Sequence, residues 1–144
     1  MITVQHLLQE KGSSVWSIGP EATVYEAVAT MADKGIGALL VMEWNRLMGI
    51  ISERDYTRKI VLKERSSKDT RVKDIMTTNV MHVTPDESVD NCMLLMARHR
   101  FRHLPVVDGD RVVGMLSIRD IMNSVIAEKQ LLIEQLENYI AGAA

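Results

Sequence analysis

Aromatic side chains are scarce in this 144-residue chain: one Phe, two Trp and three Tyr, or 4% of the residues. No segment interleaves basic residues with stacking rings, which argues against a surface for single-stranded nucleic acid. Charge of one sign is missing too. Seventeen Lys and Arg against nineteen Asp and Glu leave a formal net charge of −2, so no global field draws the chain to nucleic acid or an anionic membrane. The single cysteine, Cys92, excludes an internal disulfide and fits a reducing compartment. No apolar run approaches the roughly 20 residues that span a bilayer. The first six residues have neither the charged lead nor the apolar core of a signal peptide. The expectation is a soluble cytoplasmic protein with no nucleic-acid or membrane partner. Catalysis lacks candidates as well. No nucleophile, base and oxyanion set stands out, and His99, His103 and Cys92 match no zinc spacing.

What is present is aliphatic. Apolar residues make up 47% of the chain and include ten Met. Met31, Met42, Met48, Met76, Met93, Met96 and Met115 fall at apolar positions and read as core filling. The length suits one compact domain or two small interdependent repeats.

Along the chain, Thr3 caps a short helix that Gly12 ends, and 15–18 reads as a short strand closed by Gly19-Pro20. Thr23 and Glu26 form a capping box at the head of a helix that stops at Gly35. Strands at 38–43 and 47–51 flank a turn at 44–46, and a helix follows Ser52 to about Lys63. Residues 65–71 are polar and unpatterned and read as a linker. The order then recurs: a helical turn at 72–76, a strand at 80–83, a helix capped by Ser88 and ending near His99, and strands at 104–107 and 111–116 around Asp108-Gly109-Asp110. A final helix runs from about Ile118 to Ile140.

A shift of 65 aligns residues 15–64 with 80–129 without a gap, and twelve of those 50 positions are identical. Turns, caps and strands stay in register, as expected of two similar units that bury their sheets against each other. The repeated centre is Gly49-Ile-Ile-Ser-Glu-Arg-Asp55 and Gly114-Met-Leu-Ser-Ile-Arg-Asp120. Two readings of it stand. In one, Ser52 and Asp55, like Ser117 and Asp120, are capping boxes and nothing more. In the other, the helix N-terminus offers amides and a dipole to phosphate. Arg54 and Arg119 would then add charge-assisted bonds, and the carboxylate would accept from both hydroxyls of a ribose.

Val72-Lys-Asp-Ile-Met-Thr77, Thr84-Pro85-Asp86, Leu104-Pro-Val-Val-Asp108 and both Gly-x-x-Ser-x-x-Asp motifs resemble a tandem pair of cystathionine β-synthase (CBS) domains across almost the whole chain. The resemblance implies an α+β fold: two β-α-β-β-α repeats packed sheet to sheet about a pseudo-twofold axis, with an N-terminal helix and a long C-terminal helix. Boundaries follow as 1–64 for repeat one with its N-terminal helix, 65–71 for the linker, 72–127 for repeat two and 128–144 for a helical extension. It also implies an adenosyl ligand in the cleft between repeats and no catalytic cofactor. Asp55 and Asp120 would hold ribose, with Ser52 and Ser117 facing phosphate. The adenine side of each site would come from the opposite repeat. For Asp55 that is Thr78, Val80, Met81, Arg102 and His103; for Asp120 it is Ser14, Val15, Trp16, Gly37 and Ala38. Gly37 and Ala38 leave room for a bulky ligand, whereas Arg100, Arg102 and His103 favour more phosphate. Arg58, one turn beyond Arg54, is a further phosphate candidate that Asn123 does not match. Leu40, where repeat two has Pro105, marks repeat one as the departure from pattern.

The terminal helix carries Leu132, Leu136 and Tyr139 on one stripe beside Ile133 and Ile140. Exposing three such side chains would forgo on the order of 1.5–3 kcal/mol each. It packs either across a homodimer or on the chain's own N-terminal helix. The leading expectation is a regulatory module sensing AMP, with ADP, ATP or NAD(H) as other ligands and an unidentified effector protein. The alternative is a ligand-free scaffold acting through the terminal helix.

Overall fold

The computed structural model of the chain describes residues 2–142. Among the described residues every α-helix but one starts where a hydroxyl accepts from an otherwise unpaired amide, each such cap contributing about 1 kcal/mol. Thr3 caps α1 (Val4–Lys11), Thr23 caps α2 (Val24–Lys34) and Ser52 caps α3 (Glu53–Tyr56). Ser88 and Ser117 do the same for α5 (Val89–His99) and α6 (Ile118–Ile140), while α4 (Val72–Ile75) is a single turn. At α2 the box is reciprocal, with the Thr23 and Glu26 amides each donating to the other's side chain at 3.1 Å.

The helix expected to run regularly from Ser52 to Lys63 is one α turn followed by a wider π turn at Thr57–Val61, in which the Leu62 amide reaches back to Thr57 O at 3.0 Å. The extra residue keeps Ile60 in the core while Thr57, Arg58 and Lys59 stay at the surface cleft described below.

Strands β1 (Ser17–Ile18), β2 (Ala38–Glu43) and β3 (Arg46–Ser52) form one sheet, with β1 parallel and β3 antiparallel to β2. β4 (His103–Asp108) and β5 (Arg111–Ser117) form a second, antiparallel pair. The register slips at Val41/Met42 in one hairpin and at Val106/Val107 in the other, again 65 residues apart. Trp44 and Asn45 turn the first hairpin with φ of 53° and 64°, the pattern of a two-residue primed turn.

The strand expected at 80–83 does not form. Val83 makes a single parallel bridge to Val106. The cause is Pro105. In repeat one the Leu40 amide donates to Trp16 O at 3.2 Å, whereas proline at the matching position has no N–H for Met81 O. The departure therefore lies in repeat two, and Leu40 supports the more regular strand.

Two buried clusters make the core, and each borrows a helix. Val4, Leu7 and Leu8 of α1 pack with Val89, Cys92, Met96, Leu104, Leu116 and Ile121 of the second repeat. Val72 and Ile75 of α4 pack with Val24, Ala27, Met31, Leu39 and Ile51 of the first. Sequence order groups α1 with repeat one and α4 with repeat two; packing pairs them the other way. The main chain repeats the exchange. Val4 N bonds Glu87 O, Gln5 N bonds Pro85 O and Val89 N bonds Ile2 O, and the counterparts are Val72 to Ala22, Lys73 to Pro20 and Val24 to Thr70, all at 2.8–3.0 Å. One pseudo-twofold relation thus covers repeats and leading helices alike, with β3 and β5 in contact across it.

Gly49 and Gly114 admit the borrowed segments. A Cβ on Gly49 would meet Thr77 O at 2.7 Å, and one on Gly114 would meet Leu8 Cδ2 at 2.7 Å. The polar 65–71 segment is fastened in place: Thr70 is buried, its hydroxyl donates to Ser66 O at 2.7 Å, and the Tyr25 amide donates to Ser67 O at 2.9 Å. Burial pushes the Cys92 thiol up to about 11, with Glu87 adding to the rise. Met31 and Met96 are core residues, but Met48 and Met93 are exposed, so the methionines fill the core only in part.

Ile121 and Val125 join the core that holds Leu7 and Leu8. From Ile126 to Ile140 every residue of α6 is exposed, so this stretch does not pack on α1.

Candidate functional site

Strand β3 delivers Ser52 to the head of α3, and the Ser-x-x-Asp spacing closes a capping box. The Ser52 amide donates to Asp55 Oδ2 at 3.0 Å, the Ser52 hydroxyl donates to the same oxygen at 3.1 Å, and the Asp55 amide donates to Ser52 Oγ at 3.2 Å. The capping reading is therefore satisfied, but it uses only one carboxylate oxygen. Asp55 Oδ1 accepts from the Thr77 hydroxyl at 3.3 Å and lies 3.1 Å from Lys59 Nζ. Lys59 also donates to Ile75 O, the last carbonyl of α4, at 2.7 Å. Thr77 is placed by a two-way main-chain bridge to Ile50, at 2.9 and 3.0 Å.

Asp55 stands at one wall of a cleft of about 890 Å³. Ser52, Glu53, Arg54, Thr57, Arg58 and Lys59 share that wall, while Thr78–Met81 and His99–His103 supply the opposite one from repeat two. The cleft is large enough for a cofactor-sized molecule. Its charge is set by five cations, Arg54, Arg58, Lys59, Arg100 and Arg102, against Glu53 and Asp55, a net of +3 with the histidines neutral in a chain of net −2. Such a surface suits a phosphorylated ligand. His103 is held neutral: burial lowers its pKa first of all, Asp120 opposes this, and Lys11 and Arg102 lower it further.

Of the residues marked in the sequence, Ser52, Arg54, Asp55, Arg58, Thr78, Val80, Met81, Arg102 and His103 all line this cleft. Gly37 lines it too, where a side chain would meet His103 Cε1 and the Glu53 carboxyl carbon at 3.9 Å. The space expected beside Asp120 is thus part of the Asp55 cleft. Ala38 is fully buried where β2 pairs with Ser52. Ser14, Val15 and Trp16, expected at the Asp120 site, lie outside this cleft, and the Trp16 ring lies under Lys34 Nζ at 4.5 Å. Ser117 and Asp120 repeat the box at the head of α6, with the Ser117 amide donating to Asp120 Oδ2 at 2.8 Å, and Arg119 is exposed beside them.

Lys11 was invisible from its neighbours in the sequence, yet its ammonium lies 2.7 Å from Asp120 Oδ2 and donates to Met115 O at 2.8 Å. Burial alone would raise the Asp120 pKa, but the Lys11 bond and the Ser117 amide outweigh it and leave the pKa lowered. Lys59 was legible as a partner of Asp55, four residues on along one helix face. Among the described residues no cluster of His, Cys, Asp or Glu is arranged to hold a metal, and no helix is long and apolar enough to cross a membrane.

Comparison with known proteins places this geometry. The CBS domain family model matches residues 12–62 and 72–127. The mitochondrial CBS domain-containing protein CBSX3 of Arabidopsis thaliana is 40% identical over 150 residues, covering 97% of this chain and 72% of that one. The structure of a putative signal-transduction protein with CBS domains from Burkholderia ambifaria MC40-6 is 50% identical, covers 88% of this chain and 95% of that one, and superposes with a TM-score of 0.84. The CBS domain pair of protein MJ0100, in complex with 5′-methylthioadenosine and S-adenosyl-L-methionine, shares the fold at 24% identity and a TM-score of 0.78, covering 89% and 98% of the two chains. With both repeats matched and the fold shared, the chain belongs to the CBS domain family as a tandem pair.

Proposed function

We propose that this CBS pair is a regulatory module that senses an adenine nucleotide in the Asp55 cleft. The observation that carries the reading is that one cleft is walled by both repeats, with a carboxylate at a helix head on one side and a cationic wall on the other. A ribose diol accepted by Asp55 Oδ1 takes over from Thr77 and Lys59. Phosphate then lies among Arg54, Arg58, Arg100 and Arg102, and the base lies against Val80 and Met81. The MJ0100 pair, alike in fold, carries adenosyl ligands, in keeping with this class. A ligand that bridges two repeats changes their relative populations of states only through different affinity for each. AMP is the smallest ligand that uses these contacts. Gly37 and His103, at the same cleft, favour a longer ligand such as NAD(H) as the second reading.

The output lies with an effector protein and with assembly. The exposed stripe of α6 supports a homodimer, and it equally suits a scaffold that acts through residues 128–144 without ligand. Calorimetry with AMP, ADP, ATP, NAD and S-adenosylmethionine, on wild type and Asp55→Asn, separates these. The sensor reading expects binding tighter than millimolar for at least one nucleotide, weakened roughly tenfold or more in the variant, which is ~1.4 kcal/mol. Absence of binding by all five, with a pull-down that depends on the C-terminal residues, would make the scaffold the function.

A further inference from the structure

The two repeats give their carboxylates different company. In repeat one the carbonyl of Ile50 is taken by the Thr77 amide at 2.9 Å, and Asp55 Oδ1 by the Thr77 hydroxyl at 3.3 Å. The matching carbonyl in repeat two, Met115 O, is taken at 2.8 Å by the ammonium of Lys11, which also lies 2.7 Å from Asp120 Oδ2. One charged group thus links in repeat two the carbonyl and the carboxylate that the Thr77 amide and hydroxyl link in repeat one, but on Asp120 Oδ2, the oxygen that also accepts from the Ser117 amide. Lys11 comes from the borrowed helix α1, 109 residues away, so its position is set by the exchange of helices and not by local helix geometry. Asp55 also meets a lysine, but Lys59 is its own helix neighbour and its side chain is more exposed than that of Lys11, 42% against 32%.

We infer that Lys11 is a resident occupant of the second half-site: its ammonium pairs with the Asp120 carboxylate that ribose hydroxyls would use, so the chain takes one nucleotide, at Asp55. The inference rests on the nucleotide reading above. A neutral diol replaces an ammonium poorly at a carboxylate, because it gives up the charge of the pair and leaves the displaced cation to be solvated afresh. The lowered pKa of Asp120 and the neutrality of His103 fit a carboxylate whose counter-charge is already supplied by Lys11.

The test is calorimetry with AMP on the full chain, with thermal melts to establish folding. Wild type is expected to bind one AMP per chain and Lys11→Met two, and Lys11→Met with Asp120→Asn returns the count to one. Asp120→Asn alone, which keeps Lys11, is expected to leave the single site within twofold of its wild-type affinity. Two AMP per wild-type chain, or one per Lys11→Met chain, overturns the inference and leaves the nucleotide reading intact. Loss of the single site in Asp120→Asn overturns it as well, even if the lysine variant fails to fold. If neither wild type nor Lys11→Met binds any nucleotide, both readings fall together.

Discussion

Arg100 holds the left-handed backbone, φ 59° and ψ 30°, that Gly35 holds at the matching position 65 residues earlier with φ 64° and ψ 37°. Both residues end a helix, α5 and α2, and only glycine does so without a Cβ penalty of about 1–2 kcal/mol. Repeat two keeps the penalty, and the side chain it retains lines the cationic wall of the Asp55 cleft. Strain kept at a cleft is a reason to look for function there. Arg100→Gly is therefore expected to raise stability to urea by up to about 1 kcal/mol, less what glycine adds to unfolded-chain freedom. The same change should weaken ATP binding and flatten its salt dependence. A stabilised variant with unaltered binding would make Arg100 a bystander.

The two close-approach glycines are expected to differ in their sensitivity. At Gly49 a methyl group meets the Thr77 carbonyl, which is fixed by its bridge to Ile50. At Gly114 it meets the end of the Leu8 side chain, which can change rotamer. Gly49→Ala should cost more than Gly114→Ala, on the order of 2–3 against 1 kcal/mol in urea melts. Equal costs would mean that the backbone at Thr77 yields as easily as a leucine methyl.

Acid should erase the Lys11–Asp120 link. The folded pKa of Asp120 is depressed, so the pair contributes stability above the unfolded carboxylate value of about 3.9 and loses it as pH falls through the lower folded value. With both side chains partly exposed, that contribution is about 1 kcal/mol at most. Urea melts of wild type and Lys11→Met are expected to differ at neutral pH and converge below about pH 4. A gap that persists in acid would assign the effect of the substitution to lost packing of the lysine stem.

Assembly through α6 has its own test. Leu132 and Leu136 are exposed by 51% and 53% on a helix whose core contacts end at Val125. Leu132→Asp with Leu136→Asp should shift sedimentation from dimer to monomer while leaving the melting of the two cores unchanged. A wild-type chain that sediments as a monomer at all concentrations would sink the homodimer.

What the sequence made legible was local. Thr3, Thr23, Ser52, Ser88 and Ser117 cap helices as expected, because a cap and its amide lie within three residues. The 65-residue shift carried the hairpins with it, including the paired register slips. What escaped was non-local. The exchange of α1 and α4 depends on which buried face each short helix reaches, and no spacing within either helix encodes that. Lys11 follows from the exchange and was hidden with it. The Pro105 comparison pointed to the wrong repeat because a donor missing from β4 acts on the neighbouring segment, at Met81, and not on the strand that holds the proline.

The borrowed helices set an order on folding. As the chain is made, the first-repeat core stays incomplete until Ile75 is available. Helix α1, made ahead of both repeats, has no complete face to dock on until Leu116 and Ile121 have followed it. Its contacts reach residues from Pro85 to Ile121, all far along the chain, and such long closures form late. Cutting the chain between the repeats would therefore strand a helix on the wrong fragment each time. Two pieces separated at 65–71 should recover structure only when mixed, each completing the other's core.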